Sequence, residues 1–246
     1  MSPLPPDGPA RRTPGAAARA APAVPGALDT LLGDLGPAIR RGGPPATPHQ
    51  RCATGLAPVD RLLGGGFPRG CLSEIAGPAS CGRTSLALGL LAQATHGGTL
   101  AAIVDATDAF DPASARDFGV ELDRVLWARP RSESKALRCA ECLLQTEGFP
   151  LVLLDFAGQA HSRGRVPWIR LARLAASTRT ALIVLSQERV TGSQAEIALA
   201  MQPVQAHFRG TPSLLEGVET SAVLVRHRAV PDAGEVTIRW AGSSAA

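Results

Sequence analysis

Tyrosine is absent from this chain of 246 residues, and lysine occurs once, at Lys135, among 25 basic residues. Because the other basic residues are all arginines, the loss of any one lysine has a compositional explanation. No apolar run approaches the roughly 20 residues that a membrane-spanning helix needs. The N-terminal residues also lack the apolar stretch of a secretory signal. We therefore expect neither a membrane span nor a secretory signal.

Cysteine is scarce as well, with five residues in the chain. An odd number favours free thiols in a reducing compartment over a disulfide framework. Cys139 and Cys142 form a lone C-x-x-C, and no second pair completes a zinc site. Both lie in a helical pattern, so we interpret them as core thiols.

Charge is modest too, with a net value of +4 and 19% charged residues. This balance weakly favours an anionic partner and is no nucleic-acid footprint by itself. The apolar fraction of 45% is enough for a full core. The length suits one large α/β domain, or one ordinary domain with tails.

What the chain does contain is a phosphate-binding loop at residues 77–85. The sequence fits G-x-x-x-x-G-K-[ST] at every fixed position except one, where the lysine is Arg83. In such loops the glycines let successive backbone N–H groups point at phosphate oxygens, and a hydroxyl ligates Mg²⁺. The predicted nucleotide-binding residues here are Gly77, Ser80, Cys81, Gly82, Arg83, Thr84 and Ser85.

The chain divides into three predicted parts. Residues 1–26 are rich in Pro and Ala, and we expect them to be disordered. Residues 27–50 contain a short helix and a Pro/Gly linker, and residues 51–246 form the core domain. In the core, apolar strands alternate with helices, which predicts an α/β fold with a mostly parallel sheet buried on both faces. Residues 221–228 and 235–240 alternate in polarity and predict a C-terminal antiparallel hairpin.

An acid marks the end of one buried strand. Asp155 follows four apolar residues, at the carboxyl end where ligands bind in open α/β sheets. An acid there can hold Mg²⁺ beside Thr84 and the phosphates. A strand-terminal Asp that caps the next turn is the alternative interpretation.

Beyond the phosphate-binding loop, four stretches of the chain are distinctive: Thr54-Gly55, Gly64-Gly65-Gly66-Phe67-Pro68-Arg69-Gly70, Glu74-Ile75-Ala76-Gly77-Pro78 and Asp105-Ala106-Thr107-Asp108-Ala109-Phe110-Asp111-Pro112. With them, residues 54–240 resemble the core of the bacterial RecA recombinases. These stretches occur in the same order as in the family. The resemblance implies a RecA-like P-loop core, with ATP and Mg²⁺ as cofactors.

The departures from the family pattern lie at the nucleotide. Thr107 occupies the position of the family's catalytic glutamate and cannot accept a proton at neutral pH, so we name no catalytic residue. Ser114 replaces a tyrosine that stacks on adenine, while Asp111 matches an aspartate that contacts adenine. A guanidinium is also bulkier and flatter than the ammonium it replaces. Together these changes predict weak or absent hydrolysis.

Other matched positions concern neighbours and DNA. Gln187 matches a glutamine that senses the γ-phosphate, and Arg226 and Arg228 match residues that reach a neighbouring subunit's nucleotide. Their alternative interpretation is a charged edge strand. Four arginines are predicted to contact DNA phosphates, with a solvent-facing amphipathic helix as the alternative: Arg163, Arg165, Arg170 and Arg173.

Three functions remain open from the sequence. The first is a degenerate RecA paralogue in the bacterial cytoplasm, resembling ImuA-type accessory factors of translesion synthesis. It would bind a translesion polymerase-like partner or RecA, and single-stranded DNA as well. The second is a DNA-dependent ATPase recombinase that uses Arg83. The third is a structural domain without nucleotide. Filament formation stays open in all three.

Overall fold

A computed structural model describes residues 50–156, 168–228 and 234–241 of the chain. These residues all lie in one compact unit, Pro45–Ala246. The predicted tail, residues 1–26, and nearly all of the predicted segment 27–50 lie outside the described residues. The domain boundaries therefore stay predictions.

The described residues form a central sheet of eight strands and a small separate pair. Across the sheet the order is β10-β9-β8-β3-β7-β6-β4-β5, and the six strands from β8 to β5 run parallel. The pair β1–β2 is antiparallel. The strands are β1 Arg51–Cys52, β2 Phe67–Pro68, β3 Leu72–Ala76, β4 Ala101–Asp105, β5 Val125–Ala128, β6 Leu151–Asp155, β7 Ala181–Ser186, β8 Ile197–Arg209, β9 Leu214–His227 and β10 Glu235–Ala241.

Helices cover both faces of this sheet. The described ones are α1 Ala57–Leu62, α2 Arg83–His96, α3 Pro112–Asp117, α4 Glu133–Gln145 and α5 Trp168–Thr178, with a 3-10 turn at Leu122–Arg124. Alternate residues of one strand enter different cores. Leu153 packs in the cluster that contains α2, and Leu154 packs in the cluster that contains α4 and α5. This pattern confirms the predicted α/β class with a sheet buried on both faces.

The antiparallel side is larger than the sequence predicts. The predicted hairpin exists as β9 paired with β10, but β8 and the first half of β9 were missed. Beyond Met201 the strand β8 is mostly exposed, and Pro203 interrupts its pattern, so alternation is weak there. Arg226 lies near the end of β9, beyond the residues Gly217–Val223 that pair with β10, and Arg228 follows the last residue of the strand. The edge-strand interpretation of these two arginines therefore stays a prediction.

The C-x-x-C pair lies on helix α4 as predicted, but its burial differs from the prediction. Cys139 is partly buried, whereas Cys142 is exposed, so the interpretation of both as core thiols is wrong for Cys142. No group of three or more His, Cys, Asp or Glu residues that could hold a metal ion occurs among the described residues. Of the described helices, none is both long and apolar enough to cross a membrane.

Candidate nucleotide site

The phosphate-binding loop connects strand β3 to helix α2, which is the context the motif requires. Two residues adopt left-handed backbone conformations, Ser80 with φ 60° and Gly82 with φ 83°. The loop is tightly enclosed at its glycines. A Cβ on Gly77 would overlap the carbonyl oxygen of Met201, and a Cβ on Gly82 would lie 2.8 Å from Nε1 of Trp240. Only glycine fits at these two positions.

The backbone of this loop keeps its donors available. Within the described part of the chain, no acceptor binds the N–H groups of residues 79–82. The same residues lead into the N-terminus of α2, a helix of 14 residues, whose dipole adds positive potential there. An anion placed in this loop therefore meets several donors that nothing else in the described structure uses.

Arg83 does not extend into this loop. Its side chain is 9% exposed, and its Nη1 donates to the carbonyl oxygen of Gly77 and to that of Ser186, the latter at 3.0 Å. A third carbonyl, that of Pro78, lies 3.5 Å from the same nitrogen. The guanidinium thus connects the first residues of the loop to the end of β7, and it is directed at protein oxygens.

A cavity of about 290 Å³ lies beside the loop. Its far wall is formed by Val218 and Thr220 of β9 and by Trp240 of β10. The Trp240 indole donates to the Thr220 hydroxyl at 2.9 Å and packs near Phe118, with ring centroids 6.3 Å apart. Sequence reasoning missed these residues. The signal was an aromatic residue in the last strand of a chain in which aromatics are rare.

Asp155 lies at the carboxyl end of β6, as predicted, and is 8% exposed. Strand β7 separates β6 from β3, so Asp155 is about 10 Å across the sheet from the strand that enters the loop. Thr84 is exposed and lines the cavity. The glycine cradle, the available N–H groups and the Thr84 hydroxyl suit a magnesium nucleotide, whereas Asp155 is not among the residues that line the cavity. The assignments of Thr84 and Asp155 as magnesium ligands stay predictions.

The turn that contains Thr107 is organised around a buried carboxylate. Asp105 is 1% exposed and accepts hydrogen bonds from the backbone N–H groups of Thr107, Ala109 and Phe110, at 2.9 to 3.2 Å. The Thr107 hydroxyl donates to the same carboxylate at 3.1 Å. Thr107 therefore serves its own turn, and it does not line the cavity beside the phosphate-binding loop.

Asp111 and Ser114 form the N-cap of helix α3. The Asp111 carboxylate accepts from the N–H groups of Ala113 and Ser114 and from the Ser114 hydroxyl. The Ser114 hydroxyl and these N–H groups hold the pKa of Asp111 below its usual range. This capping gives Asp111 a structural role beside its predicted contact with adenine, which stays a prediction.

A second cavity, of about 320 Å³, is lined by residues 105–108 and 129–131. Arg129 binds Asp108 there through two hydrogen bonds of 2.6 and 2.7 Å. Its guanidinium also lies over the Trp127 ring, 4.6 Å from the centroid. Both charges are thus satisfied by each other, and the pair is exposed to solvent.

Gln187 is exposed just after β7 and is not part of the cavity lining. The segment that follows it is anchored by Glu74, which is fully buried in β3. The Glu74 carboxylate accepts from the N–H groups of Val190 and Thr191 and from the Thr191 hydroxyl, the last at 2.6 Å. Sequence reasoning used Glu74 only as part of a motif and did not foresee this role.

The predicted DNA-binding arginines are only partly described, since Arg163 and Arg165 lie outside the described residues. Arg170 and Arg173 are both exposed on α5. Arg170 pairs with Glu141 of α4 at 3.2 Å. The prediction of phosphate contacts remains open for both.

The two predicted interface arginines contact their own chain. Nε of Arg226 donates to the carbonyl oxygen of Ala195 at 2.9 Å, and Nη2 of Arg228 donates to that of Ser193 at 2.6 Å. They therefore hold the segment that leads into β8. A contact with a neighbouring molecule stays a prediction.

The chain is similar in sequence to RecA proteins. It is 41% identical to Protein RecA of Chlorobaculum parvum over 133 residues, which is 52% of this chain and 38% of that protein. It is 42% identical to Protein RecA of Rhodopirellula baltica over 104 residues, which is 42% of this chain and 28% of that protein. The chain thus spans well under half the length of these relatives.

The fold is similar to that of a solved RadB recombinase, with a TM-score of 0.62 and 24% identity, covering 76% of this chain and 95% of that one. The family model of the RecA N-terminal domain matches residues 34–166. That stretch is more than half of the chain and includes the phosphate-binding loop, the Asp105 turn and Asp155. The chain therefore belongs to the RecA N-terminal domain family.

Proposed function

We propose that this protein is a RecA-related accessory factor of bacterial DNA repair that binds a nucleotide and hydrolyses it weakly or not at all. It acts by binding another repair protein, either a translesion polymerase-like protein or RecA. This is the role of ImuA-type factors in damage-induced translesion synthesis. Single-stranded DNA is a further ligand, and the bacterial cytoplasm is the proposed location.

The observation that carries the proposal is the direction of Arg83. Its Nη1 is bonded to the carbonyl oxygens of Gly77 and Ser186 inside the protein. To contact a phosphate, the guanidinium must leave these bonds, and buried bonds of a charged group contribute about 1.5–3 kcal/mol each. The cation that the motif normally presents to the phosphates is therefore withheld.

The second support is the absence of a base at Thr107. A hydroxyl cannot take a proton from water at neutral pH, and this one is already bonded to Asp105. Asp108 is no substitute, because its carboxylate is held by Arg129. Loss of a positioned general base lowers a rate by about 10²–10⁴.

The groups that would bind a nucleotide are, in contrast, present. The backbone N–H groups of residues 79–82 suit the phosphates, and the indole of Trp240 suits a base or sugar. Thr84 and Asp155 would hold Mg²⁺, which supplies positive charge beside the phosphates when it is bound. These groups favour a site that binds and does not turn over.

The first test is hydrolysis of ATP with and without single-stranded DNA. We expect no turnover above that of Asp155→Ala, which serves as the inactive reference. Binding is followed separately through Trp240 fluorescence, with Trp127→Phe and Trp168→Phe removing the other two indoles. Brisk hydrolysis that DNA stimulates and that Asp155→Ala abolishes would establish the alternative ATPase recombinase.

The second test concerns the protein partner. Deletion of residues 27–41, or the double change Arg226→Ala and Arg228→Ala, should abolish binding to a purified translesion polymerase-like protein or to RecA. Arg239→Ala, an exposed arginine on β10, is the matched control and should bind normally. If neither nucleotide nor partner changes the melting temperature, the purely structural alternative holds.

A further inference from the structure

We infer that the cavity beside the phosphate-binding loop takes a nucleoside diphosphate at least as tightly as the corresponding triphosphate. This inference rests on the proposed function, because it requires that the site binds a nucleotide. The basis is the distribution of charge and donors around the cavity.

The donors of this site belong to the loop itself. The N–H groups of residues 79–82 are unused within the described structure, and the hydroxyls of Thr84 and Ser85 line the cavity. Opposite them lie Val218, Thr220 and Trp240, which offer an apolar surface with one hydroxyl. The cavity of about 290 Å³ is thus complete for phosphates held by the loop and for a base or sugar against the indole.

Among the described residues, a terminal third phosphate finds no such support. Arg83 is the one cation among the lining residues that the structure describes, and its side chain is turned into the protein. Gln187 and Thr107 are absent from the lining, and Thr107 is bonded to Asp105. Mg²⁺ would accompany either ligand, but a third phosphate adds negative charge that no protein cation among the described lining residues faces, and placing charge without such a partner is unfavourable.

The Arg83 side chain remains directed into the protein because it is long enough to reach several carbonyl oxygens. Its Nη1 lies near three carbonyl oxygens at once, those of Gly77, Pro78 and Ser186. A lysine is one bond shorter and ends in a single point charge, so it does not hold all three. Arg83→Lys should therefore release a cation toward the phosphates.

The experiment compares the dissociation constants of ADP and of a non-hydrolysable ATP analogue, both with Mg²⁺, by calorimetry on the full chain. In the wild type we expect ADP to bind as tightly as the analogue or more tightly. In Arg83→Lys the ratio of the two constants should shift toward the analogue by about tenfold, as expected for one charge-assisted hydrogen bond. Arg138→Lys makes the same chemical change at an exposed site on α4 and should leave the ratio unchanged.

The wild-type comparison needs no variant, so it decides the inference even if Arg83→Lys fails to fold. Tighter binding of the analogue than of ADP by the wild type would overturn it. If a protein with a normal circular dichroism spectrum binds neither ligand, the proposed function and this inference both fail. If the protein hydrolyses ATP but still binds ADP as tightly as the analogue, only the proposed function fails.

Discussion

Two turns of this protein each follow a buried parallel strand, and they use their backbone donors in opposite ways. In the loop after β3, the N–H groups of residues 79–82 have no acceptor within the described residues. In the turn after β4, three backbone donors are bonded to one buried carboxylate, that of Asp105. One turn can therefore receive an anion, and the other is closed to it.

Under the proposed function, this difference means that a binding frame can persist while the side chains for catalysis change. The loop depends on glycines and backbone, which set its shape whatever the neighbouring side chains are. In the other turn the backbone is also ordered, yet Thr107 bonds inward and offers no base. Under the proposed function, the loop keeps its shape because its glycines and backbone set that shape, and the side chains at the Thr107 turn do not.

The largest effect is expected from removing the Asp105 carboxylate, which accepts the hydrogen bonds of the turn after β4. Asp105→Ala removes the acceptor of one buried donor, the N–H of Phe110, and of three partly buried donors, the N–H groups of Thr107 and Ala109 and the indole N–H of Trp127. We expect a loss of about 4 kcal/mol in the free energy of unfolding, measured by urea denaturation, because buried donors without partners cost about 1–3 kcal/mol each.

Two variants calibrate this result. Asp117→Ala removes an exposed carboxylate at the end of α3 and should change stability by no more than about 0.5 kcal/mol. Asp105→Asn keeps one acceptor oxygen and should fall between the two. Equal stability of Asp105→Ala and Asp117→Ala would mean that the turn is not held by this carboxylate.

A second variant, Gly77→Ala, tests how closely the phosphate-binding loop after β3 is packed. In Gly77→Ala the new Cβ would overlap the carbonyl oxygen of Met201 and lie 2.7 Å from Sγ of Cys81. We expect a loss of about 3 kcal/mol by the same measurement, since overpacking a rigid site costs about 1–3 kcal/mol or more, and loss of nucleotide binding. Gly97→Ala is the matched control, because its nearest contacts are at 3.4 Å. Similar stability of both variants would contradict the fit described for the loop.

The sequence predicts the parallel half of this fold well for a physical reason. Strands such as Leu151–Asp155 are continuously apolar because both sheet faces are covered, and β6 begins and ends where the pattern predicts. The phosphate-binding loop could be recognised because its glycines are fixed by sterics. Strand β8 could not, since its outer part is exposed and its residues are held by pairing with β9, which leaves no periodic signal.

The site was harder to predict than the fold. The sequence identifies Arg83 as a substitution, but it does not reveal that the guanidinium turns toward Ser186, because that residue is 103 positions away in the chain. The contribution of Trp240 is hidden for the same reason, since β10 reaches the loop only through sheet order. Long-range contacts of single side chains have no periodicity that a sequence pattern could display.

A smaller effect is expected at low pH, where the exposed ion pair of Asp108 and Arg129 in the turn after β4 is lost. The hydrogen bonds from Arg129 hold the pKa of Asp108 below its ordinary value of 3.8. A depressed carboxyl pKa contributes stability that is present above 3.8 and is lost as the pH falls through the lowered pKa of the folded state. Because Arg129 lies over Trp127, fluorescence of a variant that keeps only this indole should report the loss.

In that background, Asp108→Asn should abolish the fluorescence transition below the ordinary pKa of the carboxyl. Asp123→Asn, an exposed acid in the 3-10 turn, should leave it unchanged. A transition that persists in Asp108→Asn would assign the signal to another carboxylate.

The smallest expected effect on stability concerns Arg170 and Arg173 on helix α5, one of which has a bonded side chain and one of which has an available side chain. Arg170 pairs with Glu141, whereas the side chain of Arg173 has no hydrogen bond or ion pair to any residue that the structure describes. Arg170→Ala should therefore cost about 0.5 kcal/mol of stability and Arg173→Ala almost nothing, as for exposed pairs in general.

For affinity to single-stranded DNA the order should reverse, with Arg173→Ala the weaker binder and its salt slope reduced by about one. Each variant is the control for the other, because both remove one exposed guanidinium from the same helix. Unchanged affinity and salt slope in both would show that this face of α5 is simply solvated, and that the available donor there meets water and no phosphate.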